Sequence, residues 1–336
     1  MRSKGYLQNL SLVFFSVFLT YFVVEIVYSL SGYSVYRRGK AVFQWLVYDS
    51  IQGWMNLPHY NHDGNFRIDR NGFRIVERAP VLADQTIVCL GDSGTFGFWA
   101  DGTWPRFPNF PDKLQESLDA RTYRIVNAGV IGYTSSHILR QYMVRVRKLK
   151  PHTIVIRIGF NDHSPSWDIR RAVRDPDSSF KRFLIYSMGS TFTVQTAVTL
   201  KQIGEPDRAM EIPWNTISQF KENLTRLVDY ARADGVRVVL LDYPIRPPAF
   251  PGRVDQSKFP TMGWGVRDYQ SLLELHRPYT EAIREIAQVK QVPLIETAPE
   301  LESRQQEGFS ETDIVHPNEK GYSLIAKAVA RFLGGR

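Results

Sequence analysis

Residues 86–93 read Thr-Ile-Val-Cys-Leu-Gly-Asp-Ser. The apolar, β-branched run is too short for a buried helix. It reads as a strand covered on both faces, and Gly91-Asp92-Ser93 ends it in a turn. A serine at a strand-to-helix turn lies at the carboxyl edge of a sheet, where the next helix presents backbone N–H groups. Taken alone, Ser93 reads at least as well as a helix cap, a position serine favours. Position 95 is Thr, so the stretch is not a Gly-x-Ser-x-Gly elbow.

Outward from this strand, the same kind of run recurs at Tyr123–Val126, Thr153–Ile158, Val236–Leu241 and Val292–Ile295. Helical patterns separate them. Ile217, Phe220, Leu224, Leu227, Val228 and Ala231 form one stripe that Gly235 closes. Residues 135–149 begin with Ser135-Ser136 as caps and end before Pro151, and a last helix after Pro317 aligns Tyr322, Ile325, Ala326, Val329 and Phe332. The expectation is an α/β fold: a three-layer α/β/α sandwich around a mostly parallel five-stranded sheet over residues 84–336. Two insertions break its rhythm, at 163–213 and 244–270. Segments after the carboxyl ends of strands border the ligand crevice of an open parallel sheet, so both insertions are candidate walls or lids. Trp167, Phe180, Phe183, Trp214 and Trp264 enrich them in aromatics, which read either as sugar-stacking surfaces or as a local core.

Upstream, residues 10–30 read Leu-Ser-Leu-Val-Phe-Phe-Ser-Val-Phe-Leu-Thr-Tyr-Phe-Val-Val-Glu-Ile-Val-Tyr-Ser-Leu. The apolar character runs all round, over about the 20 residues that cross a bilayer, and no Ala-x-Ala-like cleavage site follows. Residues 1–33 are therefore expected to be an uncleaved transmembrane anchor. Glu25 is its one internal charge, worth roughly 2.5–3.5 kcal/mol against insertion if central. Arg2 and Lys4 before the span balance Arg37, Arg38 and Lys40 after it, so charge counting leaves the orientation open. Residues 34–83 connect the anchor to the domain, with a strand and a tight Asn71-Gly72 turn inside 65–74.

The 336 residues are 43% hydrophobic and 13% aromatic, which excludes a disordered chain. The single cysteine, Cys89, forms no internal disulfide and reads as a small core residue. The net charge of +8 is scattered without a nucleic-acid motif; it reads as a solvated basic surface, or as attraction to lipid headgroups or an anionic glycan.

Three further motifs follow the expected strands and the last one precedes the final helix: Asn127-Ala-Gly-Val-Ile-Gly-Tyr-Thr134, Gly159-Phe-Asn-Asp162 and Asp313-Ile-Val-His-Pro-Asn318. Each alone reads as a turn or a helix start. Together with Ser93 they supply every role in acyl transfer. Ser93 is a weak nucleophile until a base takes its proton. His316 is the candidate base, and Asp313, three residues away, the candidate orienter of its Nδ1–H. The backbone N–H groups of Ser93 and Gly132 and the Asn161 amide are the candidate oxyanion donors.

These four blocks, in order over about residues 84–334, resemble the SGNH hydrolases, or GDSL-type esterases and lipases. The family's Ser, Gly, Asn and His fall on Ser93, Gly132, Asn161 and His316. Gly94 departs from the leucine of the commonest motif. The resemblance implies a flavodoxin-like sheet, no metal and no organic cofactor. It implies action on acylated lipids, thioesters, aryl esters or glycans. A basic, membrane-tethered member resembles those that edit O-acyl groups on bacterial surface polysaccharide, which would place the catalytic domain in the periplasm or outside the cell. Two alternatives stay open: an O-acyltransferase with the same triad, and a catalytically inert glycan-binding scaffold. The oligomeric state has no signature in the sequence.

Overall fold

The apolar run near the amino terminus forms a helix, α1, over residues 11–23, with Leu12, Phe14, Phe15 and Phe18 exposed. The computed structural model describes residues 11–23, 45–62, 65–97, 109–163, 215–246, 268–309 and 313–334. The chain divides into two compact units, residues 1–44 with 175–206 and residues 45–174 with 207–336. Helix α1 belongs to the first unit; the second holds every other described element. Among the described residues no helix is long and apolar enough to cross a membrane. Residue 10 and residues 24–30 of the expected span, Glu25 included, lie outside the described residues. So do 164–214 and 247–267, which carry nearly all of both expected insertions and the five aromatics named there.

Residues 45–76 form two small hairpins. Strand β1 (Leu46–Asp49) pairs antiparallel with β2 (Gly53–Asn56), and β3 (Asn61–His62) with β4 (Phe66–Arg67). The expected turn follows: Gly72 has φ +82° and its N–H donates to Asp69 O at 3.1 Å. Trp45, Trp54, Phe66 and Phe73 are all buried, so this segment carries part of the core.

The main sheet has the order β6-β5-β7-β8-β9, with every pairing parallel. Its strands are β5 (Gln85–Gly91), β6 (Tyr123–Gly129), β7 (Thr153–Arg157), β8 (Arg237–Leu241) and β9 (Leu294–Ile295). Counted along the chain the order is 2-1-3-4-5, the flavodoxin-like winding, and it reverses direction between β5 and β7. Ligands bind at that switch point in open α/β sheets. Strand period two then sorts the side chains. Ile87, Cys89, Ile125, Val155, Val239 and Leu241 share one core, packed by Phe110 and Leu114 of one helix and Tyr322, Ile325 and Val329 of another. Burial of Cys89 pushes its thiol well up.

Those two helices, α3 (Phe110–Ser117) and α10 (Glu319–Leu333), pack together on that face, and the short α8 (Ala298–Ser303) and α9 (Gln305–Gly308) precede α10 in the chain. On the other, α4 (Ser135–Val144), α6 (Ile217–Ala233) and α7 (Tyr269–Lys290) pack side by side. The expected stripe of α6 is buried at Phe220, Leu224, Leu227, Val228 and Ala231. Thr216 caps its start by accepting from Gln219 N–H at 3.3 Å. The pattern over 135–149 proves to be two elements, α4 and a short 3-10 helix at Val146–Leu149. Its N-cap is Thr134 rather than Ser135 or Ser136. Ser135 is taken elsewhere, by a buried carboxylate described below.

Candidate active site

Strand β5 ends at Gly91 and the short helix α2 (Ser93–Phe96) begins two residues later. Asp92, not Ser93, is the N-cap: its carboxylate accepts from Gly94 N–H at 2.8 Å. Ser93 is therefore free of the capping role. As the first residue of a helix it has a backbone N–H without an intrahelical acceptor, available to a ligand oxygen. Its side chain is buried at the sheet edge.

The loop before α10 comes to the same place. His316 Nε2 lies 2.7 Å from Ser93 Oγ, across 223 residues of sequence. His316 Nδ1 lies 2.8 Å from Asp313 Oδ2. An ionised carboxylate only accepts, so Nδ1 carries the proton and Nε2 presents its lone pair to the serine O–H. The other Asp313 oxygen accepts from Val315 N–H and His316 N–H, both at 2.9 Å. Burial works against the Asp313 charge, but His316 and these two N–H donors outweigh it and hold the carboxyl below its ordinary value. Asn318 caps α10 by accepting from Gly321 N–H at 3.0 Å, which fixes the loop's exit.

The segments that carry the other expected oxyanion donors follow the carboxyl ends of β6 and β7, the strands on either side of β5. Gly132 has φ +76°, a left-handed conformation that L side chains resist, in the turn between β6 and α4. Trp54 Nε1–H donates to the neighbouring Ile131 O at 2.9 Å, and Tyr133 O–H donates to Trp54 O at 2.6 Å, so the β1–β2 hairpin clamps this turn. Asn161 sits in the one-turn helix α5 (Phe160–His163) after β7. Its Nδ2 donates to Tyr133 O at 3.0 Å and lies 3.3 Å from Asp92 Oδ2, tying three motifs together. The next residue, Asp162, accepts from Ser135 N–H, Ser135 O–H and Asn215 Nδ2–H. Burial pushes its carboxyl up to about 7 against those donors.

Two buried residues at this edge escaped the sequence reading. Arg157 closes β7 inside what reads as a continuous apolar run, and its guanidinium stacks 3.9 Å from the centre of the Tyr243 ring. Tyr243 O–H donates to Asp92 Oδ1 at 3.0 Å. The available signal was a charge within a strand covered on both faces, where a charge needs a compensating partner.

By sequence, residues 89–324 match the GDSL-like lipase/acylhydrolase family. The chain belongs to that family. As a GDSL-like member it is an enzyme, a carboxylic ester hydrolase. No curated protein matches it. Among solved structures it is similar to the lipase/acylhydrolase from Enterococcus faecalis, at 18% identity and TM-score 0.46 over 74% of this chain and 95% of that one. An alpha/beta hydrolase enzyme from the metagenome of Lake Arreo is similar at 17% identity and TM-score 0.48, over 75% and 96% of the two chains. An acetylxylan esterase from Geobacillus stearothermophilus is similar at 15% identity and TM-score 0.46, over 76% and 96%.

Proposed function

We propose that this GDSL-like hydrolase acts through a Ser93 nucleophile, with His316 as general base and Asp313 as its orienter. The observation that carries the reading is the unbroken chain from Ser93 Oγ to His316 Nε2 at 2.7 Å and from His316 Nδ1 to Asp313 at 2.8 Å. Ser93 Oγ attacks the ester carbonyl carbon while its proton passes to His316 Nε2. The carbonyl oxygen takes the negative charge and is met by the N–H groups of Ser93 and Gly132 and by Asn161 Nδ2. Asn161 would share the longer of its two contacts, the one to Asp92, to reach it. Collapse expels the alcohol, which takes the proton from His316. Water, deprotonated by the same base, then releases the acid and restores Ser93.

The substrate in this reading is an O-acyl ester, with O-acetyl groups of a surface polysaccharide the first class to try. The net charge of +8 suits an anionic glycan. The apolar run at 10–30 would tether the domain to a membrane, with the catalytic domain on its outer face.

Turnover of a short aryl ester by purified variants tests the chemistry. Ser93→Ala and His316→Ala should each abolish it while melting like wild type, and the double variant should be little worse than either, because the residues act as a unit. A folded Ser93→Ala that keeps most of its activity would end the reading. Comparing acetylated glycans with long-chain esters then tests the substrate class; a preference for long acyl chains would remove the polysaccharide.

A further inference from the structure

Arg157 is wholly buried, and a guanidinium carries a positive charge. None of its three side-chain nitrogens finds an acceptor among the described residues. Two neighbours compensate the charge instead. One is the face of Tyr243, 3.9 Å from the guanidinium carbon. The other is Asp92: burial drives that carboxyl up, and Arg157 is the foremost of the groups that oppose the rise. The guanidinium fits only because position 94 has no side chain. A Cβ built on Gly94 would stand 1.9 Å from Arg157 Nη1 and 2.8 Å from the Tyr243 hydroxyl.

Asp92 in turn touches both halves of the site. It accepts from Gly94 N–H at 2.8 Å and from Tyr243 O–H at 3.0 Å, and Asn161 Nδ2 lies 3.3 Å away. Every one of these partners is a donor, so an ionised Asp92 satisfies them all and demands the amino end of the Asn161 amide. A protonated Asp92 would aim a donor at donors, or accept the carbonyl end of a turned Asn161. An Asn161 turned that way presents oxygen, not N–H, toward a developing oxyanion.

We propose that Arg157 is a positioning residue for ester hydrolysis: seated in the space Gly94 leaves, it keeps Asp92 an acceptor-only carboxylate, which fixes the Ser93 turn and the Asn161 amide. The proposal rests on the assignment of Ser93, His316 and Asn161 made above. The titratable and charged groups facing Asp92 are Arg157 on β7, Asp162 after β7, Tyr243 after β8, His316 before α10 and Tyr322 on α10. Of these only Arg157 brings a permanent positive charge. Removing it lets the Asp92 carboxyl rise further, so activity that needs the carboxylate is lost at a higher pH.

The test is turnover of 4-nitrophenyl acetate against pH, with thermal melting, for wild type and a set of variants. Arg157→Met should lower kcat by about ten- to hundredfold, less than loss of a direct oxyanion donor, with KM changed little. Its acid limb should move to higher pH. Arg157→Lys should return the limb toward wild type. Gly94→Ala should be impaired, and Gly94→Ala with Arg157→Met should be more active than Gly94→Ala alone. In an Asp92→Asn background the limb should no longer respond to Arg157→Met. A folded Arg157→Met with the wild-type profile overturns the proposal, as does a limb that still moves in the Asp92→Asn background, since the guanidinium would then act on His316 directly. If Arg157→Met does not fold, Arg157→Lys and Tyr243→Phe decide: the proposal needs the first to keep the limb and the second, having lost a donor to Asp92, to raise it. Ser93→Ala measured alongside separates the two levels. If it stays active the assignment of the nucleophile fails, whereas an inactive Ser93→Ala with an unaffected Arg157→Met sinks only the positioning role.

Discussion

Asp313 and His316 were legible as a pair because three-residue spacing lets one loop bring carboxylate to imidazole. That Ser93 would meet them was legible only from the four blocks taken together and from their resemblance to a family, since 223 residues separate the two sides of that hydrogen bond. Arg157 was illegible for a different reason: four apolar neighbours made it pass as part of a buried strand. Gly94, noted only as a departure from a familiar motif, gains its meaning from that arginine. At this scale Asp313→Asn is the informative change. Its amide would set a donor against His316 Nδ1–H and favour the wrong tautomer, so turnover should fall by about 10⁴-fold yet stay measurable. The same substitution has a pH signature. The Asp313 carboxyl is held below its ordinary 3.8, so its ionic contribution to stability is present above that value and lost as pH falls through the lower folded one. The gap in Tm between wild type and Asp313→Asn should therefore be widest near neutrality and close in acid. Asn161→Ala should lower kcat by about 10²–10³ and affect KM far less, because the oxyanion exists only near the transition state. A variant that raised KM alone would place Asn161 in ground-state binding instead.

Elements read well where their signal is local. Continuous apolar runs announced β5 to β8, and the stripe of α6 announced a helix with one buried face. The run at Val292–Ile295 shortened to Leu294–Ile295. The strand order was not legible from the runs themselves, because order is decided by which helix covers which face and not by any one strand. The ends of the strands carry the tightest packing. A Cβ on Gly129, the last residue of β6, would stand 2.2 Å from Phe96 N and 2.7 Å from Phe96 Cα in α2. Backbone cannot swing aside as the Arg157 side chain can. Gly129→Ala should thus lower Tm by about 3–10 °C, from about 1–3 kcal/mol of overpacking, and disturb Ser93 through α2. An unchanged melting curve would show that α2 can slide along the sheet edge.

For the molecule as a whole, the segment before β5 divides into two parts with different expected roles. Deleting residues 1–35 should leave a soluble, active esterase, because every site residue lies downstream. Deleting residues 1–80 should not. Trp45, Trp54, Phe66 and Phe73 would go, and burial of one such ring is worth about 3–5 kcal/mol against a total stability of about 5–15. Arg74, whose guanidinium holds Phe96 O at 2.7 Å, would go with them. An inactive but folded 1–35 deletion would give the amino terminus a part in the chemistry. The sequence showed this segment as a connection holding a strand and a turn; the burial of its aromatics and its hold on the Gly132 turn were visible only once the chain was folded.

The most direct test is to treat the intact protein with a fluorophosphonate and locate the adduct by mass spectrometry. An activated Ser93 predicts one added label on Ser93, formed far more slowly in His316→Ala and absent in Ser93→Ala. A label on another residue, or equal labelling of His316→Ala and wild type, would contradict a Ser93 nucleophile activated by His316.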